Sequence, residues 1–178
     1  VYDTFADGDT RSNASVQMFN RVDVWVQTIQ KESTAYAKEK KAHDIICEYV
    51  EYEEGTYDQT AYSAVMQKKT VCAGYAKLYS MLTNAAGLET VSVTSATHGW
   101  NRTKLGNQWY NVDLTWDDGT PISYQFFNKS DATMEKYDGS SRESHTQNHY
   151  YDGVAPGCES DYGASVTVVD AEQIHADT

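Results

Sequence analysis

Apolar residues recur at helical spacing up to Leu82 and alternate in twos from Val91 onward, and this change of period divides the chain into a helical part and a stranded part. From Ala14 to Ile29 the apolar positions Met18, Phe19, Val22, Trp25, Val26 and Ile29 form one helical stripe, although Val22, Val24 and Val26 also suit a strand. A second helix, capped at Ser33 or Thr34, runs through the charged segment Lys38 to Lys41 to Tyr52, with Gly55 to end it. A third begins near Thr70 or Val71, carries Val71, Tyr75, Leu78, Tyr79 and Leu82 on one face, and stops at Gly87. Beyond it Val91 and Val93 mark a strand, and His98 to Leu105 and Gln108 to Trp116 pair about a Gly106-Asn107 turn. Tyr124, Phe126 and Phe127 form a short aromatic segment, Asp138 to Tyr162 reads as a long polar loop, and Val166, Val168 and Val169 offer a last strand. Helices first and antiparallel strands after predict an α+β fold. The polar residues 1–13 are expected to be poorly ordered, and residues 14–178 to form one domain.

Composition narrows the function classes. Fourteen Lys and Arg stand against 26 Asp and Glu, a net charge of -12, which excludes a basic footprint for nucleic acid and argues against binding to anionic lipid. No run of 18 apolar residues exists, so membrane insertion is not expected. The three cysteines, Cys47, Cys72 and Cys158, are an odd number, so at least one thiol is free or pairs between molecules. No CxxC pair and no DxDxDG loop occurs, so neither a structural zinc nor a calcium requirement is expected. With Val1 at the start, no leader pattern and a polar surface, the chain is read as a fragment of a secreted or cell-surface protein.

One constellation carries chemistry. Cys72 sits at the predicted start of a helix, where the helix dipole and unpaired backbone N–H groups favour a thiolate and hold an oxyanion. The small neighbours Ala73 and Gly74 leave room for a substrate. If Gly106 and Asn107 are the two loop residues of the hairpin, Leu105 pairs with Gln108, and His98 and Asp113 become diagonal neighbours on one face. A carboxylate that accepts one ring N–H fixes the imidazole tautomer and leaves the other nitrogen to exchange a proton with a thiol. Each residue also has a plainer reading: a core cysteine, a polar strand residue, a turn carboxylate. His43 is assigned to packing or hydrogen bonding, His145 and His149 to a solvated loop, with bordering the cleft or binding a metal as the alternatives, and Asp117 and Asp118 to turn capping.

Three motifs together resemble the transglutaminase-like superfamily: Val71-Cys72-Ala73-Gly74-Tyr75-Ala76, His98-Gly99-Trp100-Asn101, and Trp109-Tyr110-Asn111-Val112-Asp113-Leu114-Thr115-Trp116-Asp117-Asp118. Ala42-His43-Asp44 and Tyr124-Gln125-Phe126-Phe127 are weaker echoes, and the similarity spans about residues 30 to 130. The resemblance implies a papain-like core with Cys72 as nucleophile, His98 as general base and acid, and Asp113 as orienting carboxylate. Trp100, Asn101 and Tyr75 become residues that shape the site or touch substrate.

The expected activity is cysteine-dependent acyl transfer on a peptide or amide bond, without metal or cofactor, on a protein or peptide substrate. Hydrolysis is favoured over crosslinking because nothing marks a pocket for an acceptor amine. Two alternatives stay open: a catalytically silent binding module of a larger secreted or cell-surface protein, and a zinc site built from Cys72, His98 and Asp113. The oligomeric state is not readable from the sequence.

Overall fold

A computed structural model describes residues 2–138, 144–148, 153 and 156–163. Helix α1 spans Gly8–Ile29, α2 Ala35–Tyr49 and α3 Cys72–Ala85. Two short strands, β1 (Glu51–Tyr52) and β2 (Lys69–Thr70), pair in parallel ahead of α3. Strands β3 (Glu89–Thr94), β4 (Gly99–Leu105), β5 (Gln108–Val112) and β6 (Phe127–Lys129) form an antiparallel sheet in that order. A single turn, α4 (Leu114–Asp117), follows β5, and α5 (Asp131–Asp138) follows β6. The α+β class is as expected. No described helix is long and apolar enough to cross a membrane.

Several boundaries differ from the sequence reading for local reasons. Residues 1–13 were expected to be poorly ordered, yet a 3-10 turn occupies Asp3–Phe5 and α1 already begins at Gly8. The Asp7 carboxylate accepts the Thr10 N–H at 2.7 Å and so caps that helix two turns early. Thr34 caps α2 as predicted, accepting the Ala37 N–H at 3.0 Å, but α2 stops at Tyr49 because Val50 is already extended into β1. The strand expected to run from Gln108 to Trp116 ends at Val112, since the Asp113 side chain takes the Thr115 N–H at 2.9 Å and starts α4. The polar stretch expected to be loop from Asp138 follows a real helix, α5. The final strand expected at Val166, Val168 and Val169 lies outside the described residues.

The hairpin register is the predicted one, with Leu105 opposite Gln108 and Gly106 at φ 59° in the turn. Side chains alternate across β4, so Asn101 and Thr103 face α3 while Trp100 and Arg102 face the other way. Both faces are covered. On one side α1, α2 and α3 pack Ile29, Ile46, Leu78 and Leu82 together with Val112. On the other, Val93 and Trp100 meet Phe126 and Met134. Where α3 touches the sheet the seam is polar: Asn101 Nδ2 donates to Ala76 O at 3.0 Å, Ser80 and Ser92 share a hydrogen bond of 3.0 Å, and Tyr79 and Thr103 one of 3.3 Å. The short side chains of Ser80, Ser92, Asn101 and Thr103 let helix and strand approach closely while satisfying their own polar atoms.

The same seam buries a carboxylate. Glu39, fully buried, accepts from Asn128 Nδ2 at 2.7 Å and from the Tyr79 hydroxyl at 3.2 Å. Burial pushes its carboxyl from the ordinary 4.5 up to about 7, against the pull of these donors. A group whose folded value is raised binds more protons in the folded state, so its stabilising effect is complete below the ordinary value and is lost as pH rises to about 7. That loss amounts to about 3 kcal/mol. Glu39→Gln is therefore expected to flatten the fall in melting temperature between about pH 4.5 and pH 7. An unchanged slope would show that Glu39 does not titrate there.

Candidate active site

Cys72 is the first residue of α3, and the residue before it, Val71, provides no side-chain cap. The first turn is held only by backbone: the Gly74 and Tyr75 N–H groups donate to Val71 O at 2.9 and 3.2 Å. A helix start of this kind, uncapped by a side chain, offers its N–H groups to an anion. Cys72 is half-buried, while Cys47 and Cys158 are buried at 7% and 3% exposure. Burial raises the Cys47 thiol above its ordinary value and pushes Cys158 up to about 12. Iodoacetamide is therefore expected to label Cys72 alone in the folded protein and all three thiols in denaturant, read by peptide mass spectrometry. Labelling of Cys47 or Cys158 at a rate similar to Cys72 would contradict this ordering.

Gly74 does not open a path for substrate, as the sequence reading expected. A Cβ there would meet Thr70 Oγ1 at 1.6 Å and Thr60 O at 3.0 Å. The residue is glycine because the helix start is pressed against β2 and the loop before it. Thr70 is itself fixed, its hydroxyl donating to Asp58 O at 2.6 Å. The helix that starts at Cys72 thus begins at a tightly specified place.

His98 and Asp113 are brought together. His98 Nε2 lies 2.6 Å from Asp113 Oδ2, and both side chains are almost wholly buried. His98 immediately precedes β4, where Ser95 holds the turn: its backbone N–H donates to His98 O at 3.0 Å, and its hydroxyl accepts the His98 N–H at 3.1 Å. Asp113 sits at the junction of β5 and α4. Its Oδ1 accepts the Thr115 and Trp116 N–H groups at 2.9 and 3.4 Å, which leaves Oδ2 for imidazole. Burial alone would raise this carboxyl, but hydrogen bonds from His145 and His98 outweigh it and pull it down to about 2. Asp113 is therefore a carboxylate at neutral pH.

The seam between α3 and β4 orders Cys72 and His98 along the fold. Tyr79 meets Thr103 and Ala76 meets Asn101, so the helix and the strand run the same way. Four residues back from Ala76, about 6 Å along the helix, is Cys72. Three residues back from Asn101, about 10 Å, is His98. Both stand at the same end of the seam.

The supporting residues divide differently from the sequence expectation. Trp100 is 1% exposed, stacks on the His98 ring at 6.2 Å between centroids, and donates its indole N–H to Asn111 Oδ1 at 2.8 Å. Its ring thus lies beside the buried imidazole of the pair. Asn101 is equally buried, and its amide is spent on Ala76 O and on Ser80 Oγ at 2.9 Å, so it fastens β4 to α3 rather than meeting a substrate. Tyr75 is also 1% exposed, in the helical core, with its hydroxyl on Asp118. It is a core residue that ties α3 to the chain after α4, not a substrate contact.

The sequence reading missed one residue of this cluster. His145, assigned to a solvated loop, is 4% exposed, and its Nε2 lies 2.9 Å from Asp113 Oδ2. Its Nδ1 lies 2.5 Å from Asp138 Oδ1 at the end of α5. Trp116 packs edge-on against it at 4.8 Å. Nothing local in the polar stretch around it signals burial. Ligand atoms of His98, Asp113 and His145 lie within 4.8 Å of one another, and among the described residues this is the one trio placed to take a cation. The two nitrogens, however, face one carboxylate oxygen at hydrogen-bond distances, which a proton on each nitrogen satisfies.

A second grouping of the same residue types shows what environment decides. His43 Nε2 lies 3.2 Å from Asp117 Oδ2 and 3.9 Å from Cys47 Sγ, on α2 and α4, beneath Tyr124 and Phe127. Burial opposes its charge, yet Asp117 and Asp44 prevail and push the imidazole up to about 11. With its thiol buried and its imidazole fixed as a cation, this grouping is a structural clamp between α2 and α4. Asp117 and Asp118 accordingly do more than cap a turn.

The family model of the transglutaminase-like superfamily matches residues 23–114, just over half of the 178-residue chain. The chain belongs to the transglutaminase-like superfamily. The matched span ends one residue past Asp113 and so contains Cys72, His98 and Asp113. Among solved structures, one described as a TGase matches with a TM-score of 0.52 at 14% identity, covering 65% of this chain and 35% of its own. A second, described as a candidate cysteine protease from Cytophaga hutchinsonii, matches with a TM-score of 0.47 at 20% identity, covering 65% of this chain and 45% of its own. The chain thus spans about a third to under a half of the lengths of these transglutaminase-like structures. No curated protein matches it.

Proposed function

We propose that this transglutaminase-like domain is a cysteine-dependent acyl-transfer enzyme acting on a peptide or amide bond. The observation that carries the reading is the His98–Asp113 pair: a buried imidazole bonded at 2.6 Å to a carboxylate, at the same end of the α3–β4 seam as a half-buried thiol. Asp113 orients the ring and stabilises its protonated form. The Cys72 thiolate attacks the carbonyl carbon, and the oxyanion that forms is held by N–H groups at the uncapped start of α3. As the C–N bond breaks, His98 gives its proton to the departing amine and leaves a thioester on Cys72. Water then attacks the thioester carbonyl while His98 takes its proton, releasing a carboxylic acid and the thiol. An acceptor amine in place of water would yield a new amide.

Hydrolysis is the preferred outcome, because water needs no second binding site. The test is to incubate the protein with a peptide mixture, with and without a dansylated primary amine, and to follow Cys72 by mass spectrometry. An acyl adduct on Cys72 with peptide acids as products is expected. Incorporation of the amine would make the domain a transferase, and no adduct with no turnover across the mixture would defeat the proposal.

A further inference from the structure

Asp113 serves two imidazoles, and the proposed chemistry uses only one of them. The second, His145, is held on both sides: Nε2 at 2.9 Å from Asp113 Oδ2 and Nδ1 at 2.5 Å from Asp138 Oδ1, while its own backbone N–H donates to Asp138 Oδ2 at 2.9 Å. Each close nitrogen–oxygen approach requires a proton between the two atoms. The titratable groups that face His145 among the described residues are Asp113 from the β5–α4 junction, Asp138 from α5, and His98 from the start of β4, whose ring centre is 5.2 Å away. Trp100, Trp116 and Phe126 enclose the rest of the ring. An imidazole packed among aromatics and bridging two carboxylates is an ordered part of the site.

We propose that His145 is a positioning residue, which holds Asp113 Oδ2 alongside His98 and moderates how strongly that carboxylate retains the His98 proton. The inference rests on the acyl-transfer reading. A carboxylate oxygen that accepts two N–H donors shares its negative charge between them, so each donor is held less tightly than it would be alone. His98 must hold a proton to deliver it to the leaving amine, and must also release it, so the strength of the Asp113 bond sets the pH range in which it works. Asp138 acts one step further out by fixing the His145 ring, as a second-layer carboxylate does for a working imidazole.

Two variants test this, His145→Phe, which keeps a ring in the aromatic pocket, and Asp138→Asn, which leaves His145 in place. Without the His145 N–H, Asp113 directs its full charge at His98. The expected result for His145→Phe is an alkaline limb of kcat/KM moved up by about half to one pH unit, with kcat lowered roughly 10- to 100-fold and KM little changed. Asp138→Asn should move the limb the same way by less. Imidazole 1H–15N spectra supply a readout that needs no turnover, and the His98 titration midpoint should rise in both variants. If the wild type has no activity but this midpoint still rises, the acyl-transfer reading fails while the role of His145 stands. Folded variants with an unchanged His98 midpoint and unchanged limbs would reduce His145 to packing and overturn the proposal. Should His145→Phe not fold, Asp138→Asn decides. Stoichiometric zinc held in the purified protein by His98, Asp113 and His145 would also overturn it.

Discussion

Cys72→Ala is expected to lower turnover by about four orders of magnitude or more, because the other two thiols are buried and none remains to form the thioester. The same variant should melt within a degree or two of the wild type. Cys72 is only half-buried, and the turn that follows it is held by the Gly74 and Tyr75 N–H groups on Val71 O, which alanine leaves intact. Cys72→Ser gives a sharper contrast, since a hydroxyl of nearly the same size lacks the acidity of a thiol and should be almost as inactive. Substrate hydrolysis by Cys72→Ala at the wild-type rate would end the acyl-transfer proposal. Loss of both activity and fold would instead mark Cys72 as structural.

His43→Leu is expected to produce the largest loss of stability. It leaves the Asp117 carboxylate, wholly buried, without the imidazole that faces it at 3.2 Å. Removing one partner of a buried ion pair costs about 3–5 kcal/mol. For a chain of this length that lowers the melting temperature by about 10 °C. Asp117 cannot readily find water, because its other oxygen already accepts the Phe126 N–H at 3.0 Å inside the α2–α4 clamp. The double variant His43→Leu with Asp117→Leu should lose less than the sum of the two single changes, since no isolated charge remains. A thermal melt of the single variant within 2 °C of wild type would show that the pair contributes nothing.

How much was legible depended on how far apart the interacting residues lie in the chain. The α3 stripe, its stop at Gly87 and the Gly106-Asn107 hairpin rest on neighbours within one turn or one loop, and their positions agree with the structure to within a residue or two. The register then followed from counting, so the proximity of His98 and Asp113 was derivable before any coordinates. The strand predicted to continue to Trp116 failed because a side-chain cap competes with extended backbone, and only the carboxylate's actual direction chooses between them. Glu39 sits within the charged segment Lys38 to Lys41, and nothing there points to its partner Asn128, 89 positions away. Asp117 is 74 positions from His43, and His145 is 32 from Asp113. Gly74 read as open space because residue size was visible and the threonine pressed against it was not.

From the order of residues alone came the α+β class, the helix that starts at the thiol, and the pairing of an imidazole with a carboxylate across a tight hairpin. These depend on periodicity, turn chemistry and alternation, which act over a few residues. Tertiary structure alone decided which polar groups lose their water. It buried Glu39, made a cation of His43 beside Asp117, and set a second imidazole against Asp113. Desolvation belongs to whatever chain happens to pack overhead, and no stretch of sequence carries that information about itself.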